Sequence, residues 1–375
     1  MPQKPTLIVF IGSTATSPVE QMVEGARQAI TTDTIEKACR ASVFDRIIVA
    51  TNDRKFARSV KGQAIVEMDQ GPFHFGKRLA DLIAKHNIDK PFYIGGGSVP
   101  LLTAEELAKI VEEFASKSNA VISNNYFSAD LVAFTPGSAI AEIELPTSDN
   151  PLPQLLHHQA GLENSVLPRT AVTQFDVDTP TDLLVLKVHP GSGPNTRRFI
   201  ESLDLNVSKL KQAMSLFTSP EAEVLVSGRV GSHIWACLEK DTACRVRMLS
   251  EERGMRADSR QEQGKVRSIL GFYVEQVGIP RFFQTVAELG NAAFIDTRVI
   301  FHHLKLNLPA SDRFFSDLSQ PDNIGISFAR EFTRAAMEAS IPIVLGGHSL
   351  VSGGMMALID AAWLEYETKQ KAEEV

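Results

Sequence analysis

The sequence predicts an α/β protein with a Rossmann-like, mostly parallel sheet over residues 1–190, followed by a second, mainly helical domain over residues 195–375. Apolar runs such as Arg46–Thr51 lack polar alternation, which is typical of parallel strands that are buried on both faces. These runs alternate with longer helical stretches, which is the pattern of doubly wound sheets. The segment His189–Asn195 contains two prolines and two glycines, and it therefore predicts the domain boundary.

The elements of the first domain are predicted in a regular order along the chain. The strands are expected at Thr6–Ile11, Arg46–Thr51, Ile65–Met68, Lys90–Ile94, Ala120–Ser123 and Asp130–Phe134. The helices are expected at Val19–Ala29, after Asp33 as N-cap with Glu36 at N3, from Gly71 to about His86, and after Thr103.

Composition limits the class of protein. The chain has 375 residues, 43% of them hydrophobic, and a formal net charge of -7. Its length favours two domains, and its acidic balance gives no reason to expect nucleic acid as a partner. The sequence has no apolar run long enough for a membrane span, no secretory leader, and three cysteines without a paired spacing. We therefore expect a cytoplasmic protein that is not bound to a membrane.

The segment Phe175–Leu183 places two carboxylates one residue apart, immediately before a predicted helix. Because residues i and i+2 of an extended segment share a face, Asp176 and Asp178 are expected to point the same way. The helix should begin with Thr179 as N-cap and with Asp182 closing a capping box. Two interpretations remain open: the pair solvates a turn, or it provides oxygen ligands for a magnesium ion bound to a phosphate.

A second segment, Lys90–Leu107, contains a strand and the run Gly-Gly-Gly-Ser-Val-Pro-Leu-Leu-Thr-Ala-Glu-Glu-Leu. Together with the Asp-x-Asp-Thr-Pro-x-Asp-Leu segment, it resembles the nucleotidyltransferases of the molybdenum-cofactor guanylyltransferase type. The resemblance covers about the first half of the chain and implies a glycosyltransferase-A-like NTP-transferase fold. It also implies that Gly97 and Ser98 border a nucleotide, and that Asp176 and Asp178 are catalytic and hold Mg²⁺.

Two departures from the family pattern affect the expected chemistry. The family has a glycine-rich phosphate loop with an arginine and a lysine, whereas Gly12–Pro18 has one glycine and no basic residue. Gly12, Ser13 and Thr14 are still expected to offer backbone N–H groups and hydroxyls to the nucleotide. Ser98 stands where the family has a metal-binding aspartate, and a hydroxyl is a poorer ligand for magnesium than a carboxylate.

Lys77 and Arg78 lie in the first turn of the helix that follows Gly71 and Gly76. Helix N-termini attract anions, and the corresponding helix of the family lies near the nucleotide. One interpretation is that both side chains hold the nucleotide phosphates. The other is that they are ordinary exposed charges.

The second domain resembles no family that its residues identify. Two apolar stretches, Ala293–Ile295 and Ile341–Leu345, are candidate strands. Helices are expected at Arg197–Asp204, Ser208–Leu216, Arg260–Val277, Arg281–Leu289, Ser327–Ala339 and Gly353–Tyr366.

The stretch from residue 229 to residue 267 is rich in arginine. Its arginines either pair with neighbouring carboxylates on a solvated surface or bind an anion, since a guanidinium fits phosphate bidentately. In the second interpretation Arg253 and Arg256 form a second-domain anion site. Gly347 and His348 would complete it, because they lie in a glycine turn that precedes a helix.

Two further patterns in the second domain carry a weaker signal. The segment Ile341–Gly354 resembles the nucleophile elbow of α/β-hydrolases, with Ser349 as the nucleophile. Val351 replaces the glycine of the sharp turn, and no histidine follows Ser349, so both features count against a hydrolase. Asp296 and His303 would share a helix face but lie two turns apart, which is too far for one metal without a further ligand.

Two functions remain open from the sequence. The working hypothesis is a magnesium-dependent nucleotidyltransferase, which transfers a nucleoside monophosphate from a nucleoside triphosphate to a small phosphorylated or anionic acceptor. The alternative is a catalytically inactive binding or scaffold protein of the same fold, with its activity or ligand site in the C-terminal domain. Ser98 and the loop without basic residues favour the alternative, whereas the intact Asp-x-Asp-Thr-Pro segment favours the transferase. The nucleobase, the acceptor and the oligomeric state are not specified by the sequence.

Overall fold

The computed structural model describes residues 3–255 and 259–373, and within these ranges the chain forms two compact units. The first unit consists of the residues up to Thr14, Glu24–Asp176 and Gly193–Phe199, and the second consists of Ala15–Val23, Val177–Ser192 and the residues from Ile200 onward. The predicted linker, His189–Asn195, contains one of the points where the chain passes between units. The Asp-x-Asp pair contains another, because Asp176 belongs to the first unit and Asp178 to the second.

The first unit contains a seven-stranded, mostly parallel sheet, which confirms the predicted fold class. In the order β3-β2-β1-β4-β6-β5-β7, β6 runs antiparallel to both of its neighbours, and the other adjacent strands are parallel. The strands are β1 (Thr6–Ile11), β2 (Arg46–Thr51), β3 (Ile65–Met68), β4 (Pro91–Gly95), β5 (Ala120–Ser123), β6 (Leu131–Thr135) and β7 (Glu163–Val166).

Alternate residues of the central strands fill two apolar layers, one on each face of the sheet. In β1, Leu7 and Val9 enter one layer, whereas Ile8 and Phe10 enter the other. Helices pack on both faces, as the continuous apolar runs predicted. The first seven α-helices along the chain, the last of which belongs to the second unit, are α1 (Pro18–Ala41), α2 (Arg54–Ser59), α3 (Phe75–His86), α4 (Ala104–Ala115), α5 (Leu152–His158), α6 (Ala171–Gln174) and α7 (Pro180–Val188).

The prediction of a helix end near Ala29 and a new helix after Asp33 is wrong, because α1 continues to Ala41. The hydroxyls of Thr31 and Thr34 bond back to carbonyl groups four residues earlier, so these residues do not interrupt the helix. Asp33 is a capping residue, but for a distant segment. Its carboxylate accepts hydrogen bonds from the backbone N–H groups of Asn195 and Thr196, both at 2.9 Å.

The second unit contains a four-stranded, entirely parallel sheet in the order β11-β10-β8-β9. The strands are β8 (Glu223–Gly228), β9 (Arg245–Ser250), β10 (Ala292–Asp296) and β11 (Ile343–Gly346). The sequence located β10 and β11 but not β8 and β9. Strand β9 lies at the edge of the sheet and exposes Arg245 and Arg247, so its charges concealed the apolar pattern of a strand.

Helices contribute most of the residues of the second unit. Besides α7 and the first six residues of α1, they are α8 (Pro194–Glu201), of which the last two residues belong to this unit, α9 (Ser208–Ser215), α10 (Ser232–Asp241), α11 (Ile269–Glu288), α12 (Thr297–His303), α13 (Ala310–Asp317), α14 (Ser327–Glu338) and α15 (Gly353–Glu373). The predicted helix start at Arg260 is wrong, because α11 begins after Ser268, whose hydroxyl accepts a hydrogen bond from the Gly271 N–H. None of the described helices combines the length and apolar character needed to cross a membrane.

Replacement of Asp33 by alanine should destabilise the first unit. Asp33 is buried, and it also accepts hydrogen bonds from the Asn195 side chain and from the Thr196 hydroxyl, at 2.9 and 2.6 Å. Loss of a charged acceptor with several donors should lower the free energy of unfolding by about 2–3 kcal/mol. The change is measurable by urea unfolding followed by circular dichroism.

Asp45→Ala is the matched control, because Asp45 is half-exposed and pairs with Arg46 at the surface. We expect a loss of less than about 1 kcal/mol for this variant. Equal losses in both variants would show that the contacts of Asp33 do not hold the Asn195–Thr196 segment in place.

Candidate functional site

The topology of the first sheet places its switch point between β1 and β4. From β1 the chain continues to β2 on one side, whereas β4 lies on the other side. In open α/β sheets, ligands bind beyond the carboxyl ends of the strands at such a point. Two loops meet there, Gly12–Thr14 after β1 and Gly95–Ser98 after β4. The Gly96 N–H ties the second loop to the end of β1 by donating to the Phe10 carbonyl at 2.8 Å.

The loop after β1 is held by side chains of its own unit. Asn52, which follows β2, accepts a hydrogen bond from the Ser13 N–H at 2.7 Å and donates to the Ser13 carbonyl at 3.0 Å. The Thr14 N–H donates to the Glu24 carboxylate at 3.1 Å. The backbone N–H groups of Ser13 and Thr14, which were predicted to bind phosphate, therefore already donate to side-chain acceptors in this conformation.

A basic side chain reaches the switch point from α1. The Nε of Arg27 donates to the Gly96 carbonyl at 2.8 Å, and the Arg27 side chain makes no other hydrogen bond or ion pair with any residue that the structure describes. Gly97 has a φ of 97°, and a Cβ atom there would lie 2.7 Å from Cγ of Arg27. The terminal guanidinium nitrogens are thus left to donate to an anion. The sequence did not reveal this cation, because Arg27 is remote from both family segments.

Ser98 and Asp176 lie opposite each other in an isolated antiparallel bridge, so the two segments that carry the family resemblance come together. The neighbouring Val99 N–H donates to the Phe175 carbonyl at 3.1 Å. Val99 has a φ of 46°, which is strained for a β-branched residue. Such strain costs about 1–3 kcal/mol and concentrates at functional sites.

Two further aspartates of the first unit lie near the same strand ends. The Tyr93 hydroxyl donates to Asp149 at 2.9 Å, and the Asp130 carbonyl accepts from the Gly95 N–H at 2.8 Å. Burial and these two aspartates raise the pKa of Tyr93 well above its usual value, and Arg27 partly opposes the shift. Tyr93 therefore remains a protonated donor. Asp130 and Asp149 were not found from the sequence, because they lie in loops without a local motif.

Of the two predicted cations on α3, one is already paired. Arg78 forms an ion pair with Asp69 at 2.7 Å, whereas Lys77 is exposed in the first turn. The start of α3 lies beside the end of β1, because Phe75 packs edge-on against Phe10 with ring centroids 5.6 Å apart. Lys77 is accordingly the better candidate of the two for a bound phosphate.

The described residues contain no group of three His, Cys, Asp or Glu side chains arranged to hold a metal ion. Magnesium usually needs only one or two protein carboxylates, because water and substrate phosphates complete its octahedron. Asp176, which lies opposite Ser98 in the backbone bridge, is the kind of single carboxylate that suits a magnesium ion shared with a nucleotide. The donor set does not fit a metal site formed by the protein alone.

Asp178 precedes α7 in the second unit and is exposed. The predicted capping box of that helix is confirmed, because Asp182 accepts hydrogen bonds from the Thr179 N–H at 2.7 Å and from its hydroxyl at 3.0 Å. Asp182 is fully buried, and its other oxygen has no partner among the described residues. Burial, together with the charge of Asp178, raises the pKa of Asp182 to about 7.

The predicted anion-site residues of the second unit lie around the carboxyl ends of its strands. Arg253 and His348 are exposed and interact electrostatically, and Gly347 follows β11. Arg256 lies outside the described residues. Ser349 is only 3% exposed, which counts further against a hydrolase.

The aspartate and histidine that the sequence offered as weak metal candidates have structural partners. Asp296 pairs with Arg229. The Nδ1 atom of His303 accepts a hydrogen bond from the Ser268 N–H at 3.0 Å.

No protein-family model and no curated protein matches the chain. Similar solved structures include a protein of Desulfovibrio desulfuricans classed with the nucleotide-diphospho-sugar transferases, at 16% identity over 53% of this chain and 94% of that one, with a TM-score of 0.41. A cytidylyltransferase from Leptospira borgpetersenii is 15% identical over 53% of this chain and 93% of that one, with a TM-score of 0.39. The synthetase of CMP:2-keto-3-deoxy-manno-octonic acid, complexed with CTP, is 12% identical over 44% and 89%, with a TM-score of 0.32. Likeness at this level does not transfer an activity, so any proposed function must rest on residues of this chain.

Gly97→Ala should destabilise the first unit more than Gly62→Ala does. Both glycines have a positive φ, of 97° and 101°, but only Gly97 has Arg27 in the way of a Cβ atom. The backbone alone should cost each variant about 1–2 kcal/mol, and Gly97→Ala must also displace the guanidinium. Urea unfolding of both variants measures the difference. Equal losses would show that Arg27 moves aside without cost.

Asp182→Asn should change the pH dependence of stability. The pKa of Asp182 is about 7 in the folded protein, above its usual 3.8, so its contribution to stability is present below about pH 4 and is lost as the pH rises through 7. The wild type should therefore lose stability relative to Asp182→Asn across this window, by ~1.4 kcal/mol for each pH unit between the unfolded and folded pKa values. Asp322→Asn is the control, because Asp322 is 90% exposed. Parallel pH profiles for the wild type and Asp182→Asn would contradict the raised pKa.

Proposed function

We propose that the first unit binds a nucleotide at the carboxyl ends of β1 and β4, and that the chain is a nucleotidyltransferase-like protein. In this proposal it transfers a nucleoside monophosphate from a nucleoside triphosphate to a small phosphorylated or anionic acceptor. The observation that carries the proposal is the convergence of the Ser98–Asp176 bridge with the Arg27 guanidinium at the switch point. One side offers an oxygen ligand for a cation, and the other offers donors for phosphate.

Each residue has a role that its geometry supports. Arg27 is fixed through Nε, so its terminal nitrogens can donate to phosphate oxygens without losing further side-chain freedom. Lys77 is exposed at the start of α3, where the helix dipole also favours an anion. Asp176 would hold a magnesium ion that enters with the nucleotide, and the ion would supply charge neutralisation for the phosphates.

The reaction is a displacement at phosphorus. An oxygen of the acceptor phosphate or carboxylate attacks the α-phosphorus of the triphosphate and forms a new P–O bond. The bond between the α-phosphorus and the oxygen that bridges to the β-phosphate breaks, and pyrophosphate leaves. The acceptor is already an anion, so the attack needs no general base. Positioning and charge stabilisation are what the protein must contribute.

A second candidate function is a nucleotide-binding protein of this fold without catalysis. Two observations favour it. Ser98 provides a hydroxyl where the family has a carboxylate, and the backbone N–H groups of Ser13 and Thr14 already donate to Asn52 and Glu24. Weaker binding of the metal and of the phosphates would reduce the rate of turnover more than it reduces nucleotide affinity. The reason is that the transition state depends more on charge stabilisation than the bound nucleotide does.

Arg27→Gln should lower the affinity for a magnesium–nucleoside triphosphate by about tenfold or more, because a charge-assisted contact is lost. Isothermal titration with each common nucleoside triphosphate, with and without magnesium, measures the change and identifies the base. Arg40→Gln is the matched control, since Arg40 is an exposed arginine later in the same helix. Equal affinities in both variants, or no binding by the wild type, would refute the site.

Catalysis is tested separately by pyrophosphate release with a panel of sugar phosphates and other small anions. Release that is lost in Asp176→Asn would identify the transferase. Arg27-dependent binding without release from any acceptor would instead support the binding protein.

A further inference from the structure

The second sheet has its own switch point, between β8 and β10. From β8 the chain continues to β9 on one side, whereas β10 lies on the other side. We infer that the carboxyl edge of this sheet is a second ligand site, which takes the phosphate group of a phosphorylated small molecule and is formed by residues of the second unit, whereas the nucleotide site proposed above is formed by residues of the first. The rule that places ligands at switch points applies to this sheet as it does to the first.

The floor of the site is a buried ion pair that only a glycine permits. Gly228, at the end of β8, has a φ of 120°, and a Cβ atom there would clash with Cβ of Asp296. Asp296 binds the Nε and Nη2 atoms of Arg229, at 2.5 and 3.1 Å. Burial would raise the pKa of Asp296, but Arg229 outweighs it and holds the carboxylate ionised. The neighbouring Ser227 hydroxyl is buried and has no partner among the described residues.

The segment that follows β9 lies over this strand end. The Ser250 hydroxyl donates to the Val230 carbonyl at 2.7 Å, and the Glu251 N–H donates to the Gly228 carbonyl at 2.9 Å. Met255 is buried in a small apolar cluster with Val299, which belongs to the first turn of α12. The segment 250–255 is therefore fixed at the carboxyl edge of the sheet, above β8 and β10.

Arg253 is the cation that this segment presents. It is exposed and makes no hydrogen bond or ion pair with any residue that the structure describes. Its neighbours do not neutralise it, because Glu251 accepts hydrogen bonds from Ser268 and from the Ile269 N–H, and Glu252 pairs with Arg260. Because the neighbouring carboxylates are engaged elsewhere, the planar fork of Arg253 is available to bind a phosphate bidentately.

The guanidinium of Arg253 lies beside the start of α10. Its Cζ atom is 3.5 Å from the position that a Cβ atom would take at Gly231, the N-cap residue of that helix. Glycine offers no side chain to cap the first turn, so the dipole of α10 favours an anion at this helix end, which the His233 ring also borders. The ten-residue helix and the arginine together favour a compact anion.

His348 supplies a neutral hydrogen-bonding group from a third element. It follows β11, and it interacts electrostatically with Arg229, Asp296 and Arg253. Burial and the charge of Arg229 lower the pKa of His348 to about 4. His348 is exposed as a residue, and the charge of Arg229 lowers its pKa in the same direction as burial does, so the imidazole is neutral at pH 7. A neutral imidazole can donate to one phosphate oxygen or accept a proton from another.

A phosphate group suits this set of donors better than a carboxylate does. The donors come from α10, from the Arg253 segment and from the end of β11, so they approach from three elements. A tetrahedral phosphate has three oxygens that can meet them, whereas a carboxylate has two in one plane. The ligand is therefore a phosphorylated small molecule, with inorganic phosphate as its smallest probe.

The test is isothermal titration of the whole protein with inorganic phosphate and, in parallel, with glycerol phosphate. Arg253→Ala should weaken the binding of both by about tenfold or more, and His348→Gln should weaken it by several-fold. Arg245→Ala is the matched control, because Arg245 is an exposed arginine at the opposite end of the same sheet. It should change the affinity by less than about twofold.

Arg27→Gln separates the two sites, because Arg27 belongs to the first unit. Phosphate binding that persists in Arg27→Gln and weakens in Arg253→Ala supports the second site. Binding that is lost in Arg27→Gln, equal in Arg253→Ala and Arg245→Ala, or absent from the wild type overturns it. Arg253→Lys tests whether the weaker binding of Arg253→Ala comes from misfolding. Lysine keeps the positive charge but lacks the planar guanidinium, so we expect an affinity between those of the wild type and Arg253→Ala.

Discussion

The central strands of both sheets run parallel with helices packed against them, and this arrangement decides where the polar chemistry lies. A strand that is buried on both faces has no room for a charged side chain until it ends. Polar side chains that can take part in chemistry therefore lie at the strand ends: Ser98 after β4, Asn52 after β2, and Asp296 as the last residue of β10. Both candidate sites are consequences of this constraint, and each lies where the strand order reverses.

Among the described residues, the carboxyl edge of the second sheet combines buried ion pairs with one unpaired arginine. In the second unit, the buried aspartates Asp296 and Asp317 are each matched by an arginine, Arg229 and Arg298, in contacts of 2.5 and 2.6 Å. Buried ion pairs bring little net stability, because desolvation offsets most of their attraction. What they do achieve is to hold charged groups rigidly beside a strand end. Arg253 then remains as the one cation of segment 250–255 with no partner among the described residues.

The sequence predicted best what depends on local patterns. The apolar runs located six strands of the first sheet but not the exposed edge strand β7, and the spacing of Thr179 and Asp182 predicted a capping box that the structure contains. It failed where a distant partner decides the role of a residue. Asp33 has the side chain of an N-cap, but the helix that it caps begins near residue 194.

The same limit applies to the candidate sites. The family resemblance predicted that Ser98 and Asp176 lie close together, and the structure contains a backbone bridge between them. Arg27 could not be predicted, because nothing near it in the chain marks its contact with Gly96. Edge strand β9 was missed for a related reason. A strand at the edge of a sheet can expose charged side chains such as Arg245 and Arg247, so its sequence lacks the apolar pattern from which strands are predicted.

The charge balance at the first switch point bears on the choice between transferase and binding protein. Among the described residues, Glu24, Asp130, Asp149 and Asp176 all contact or adjoin the loops there, whereas Arg27 is the only cation bonded to those loops. Carboxylates beside a bare triphosphate repel it where water is partly excluded, unless a cation lies between them. The edge is therefore suited to a nucleotide whose phosphates already carry a divalent cation. With Ser98 in place of a second carboxylate, Asp176 and the nucleotide itself would have to hold that cation, so nucleotide binding and magnesium binding are expected to depend on each other.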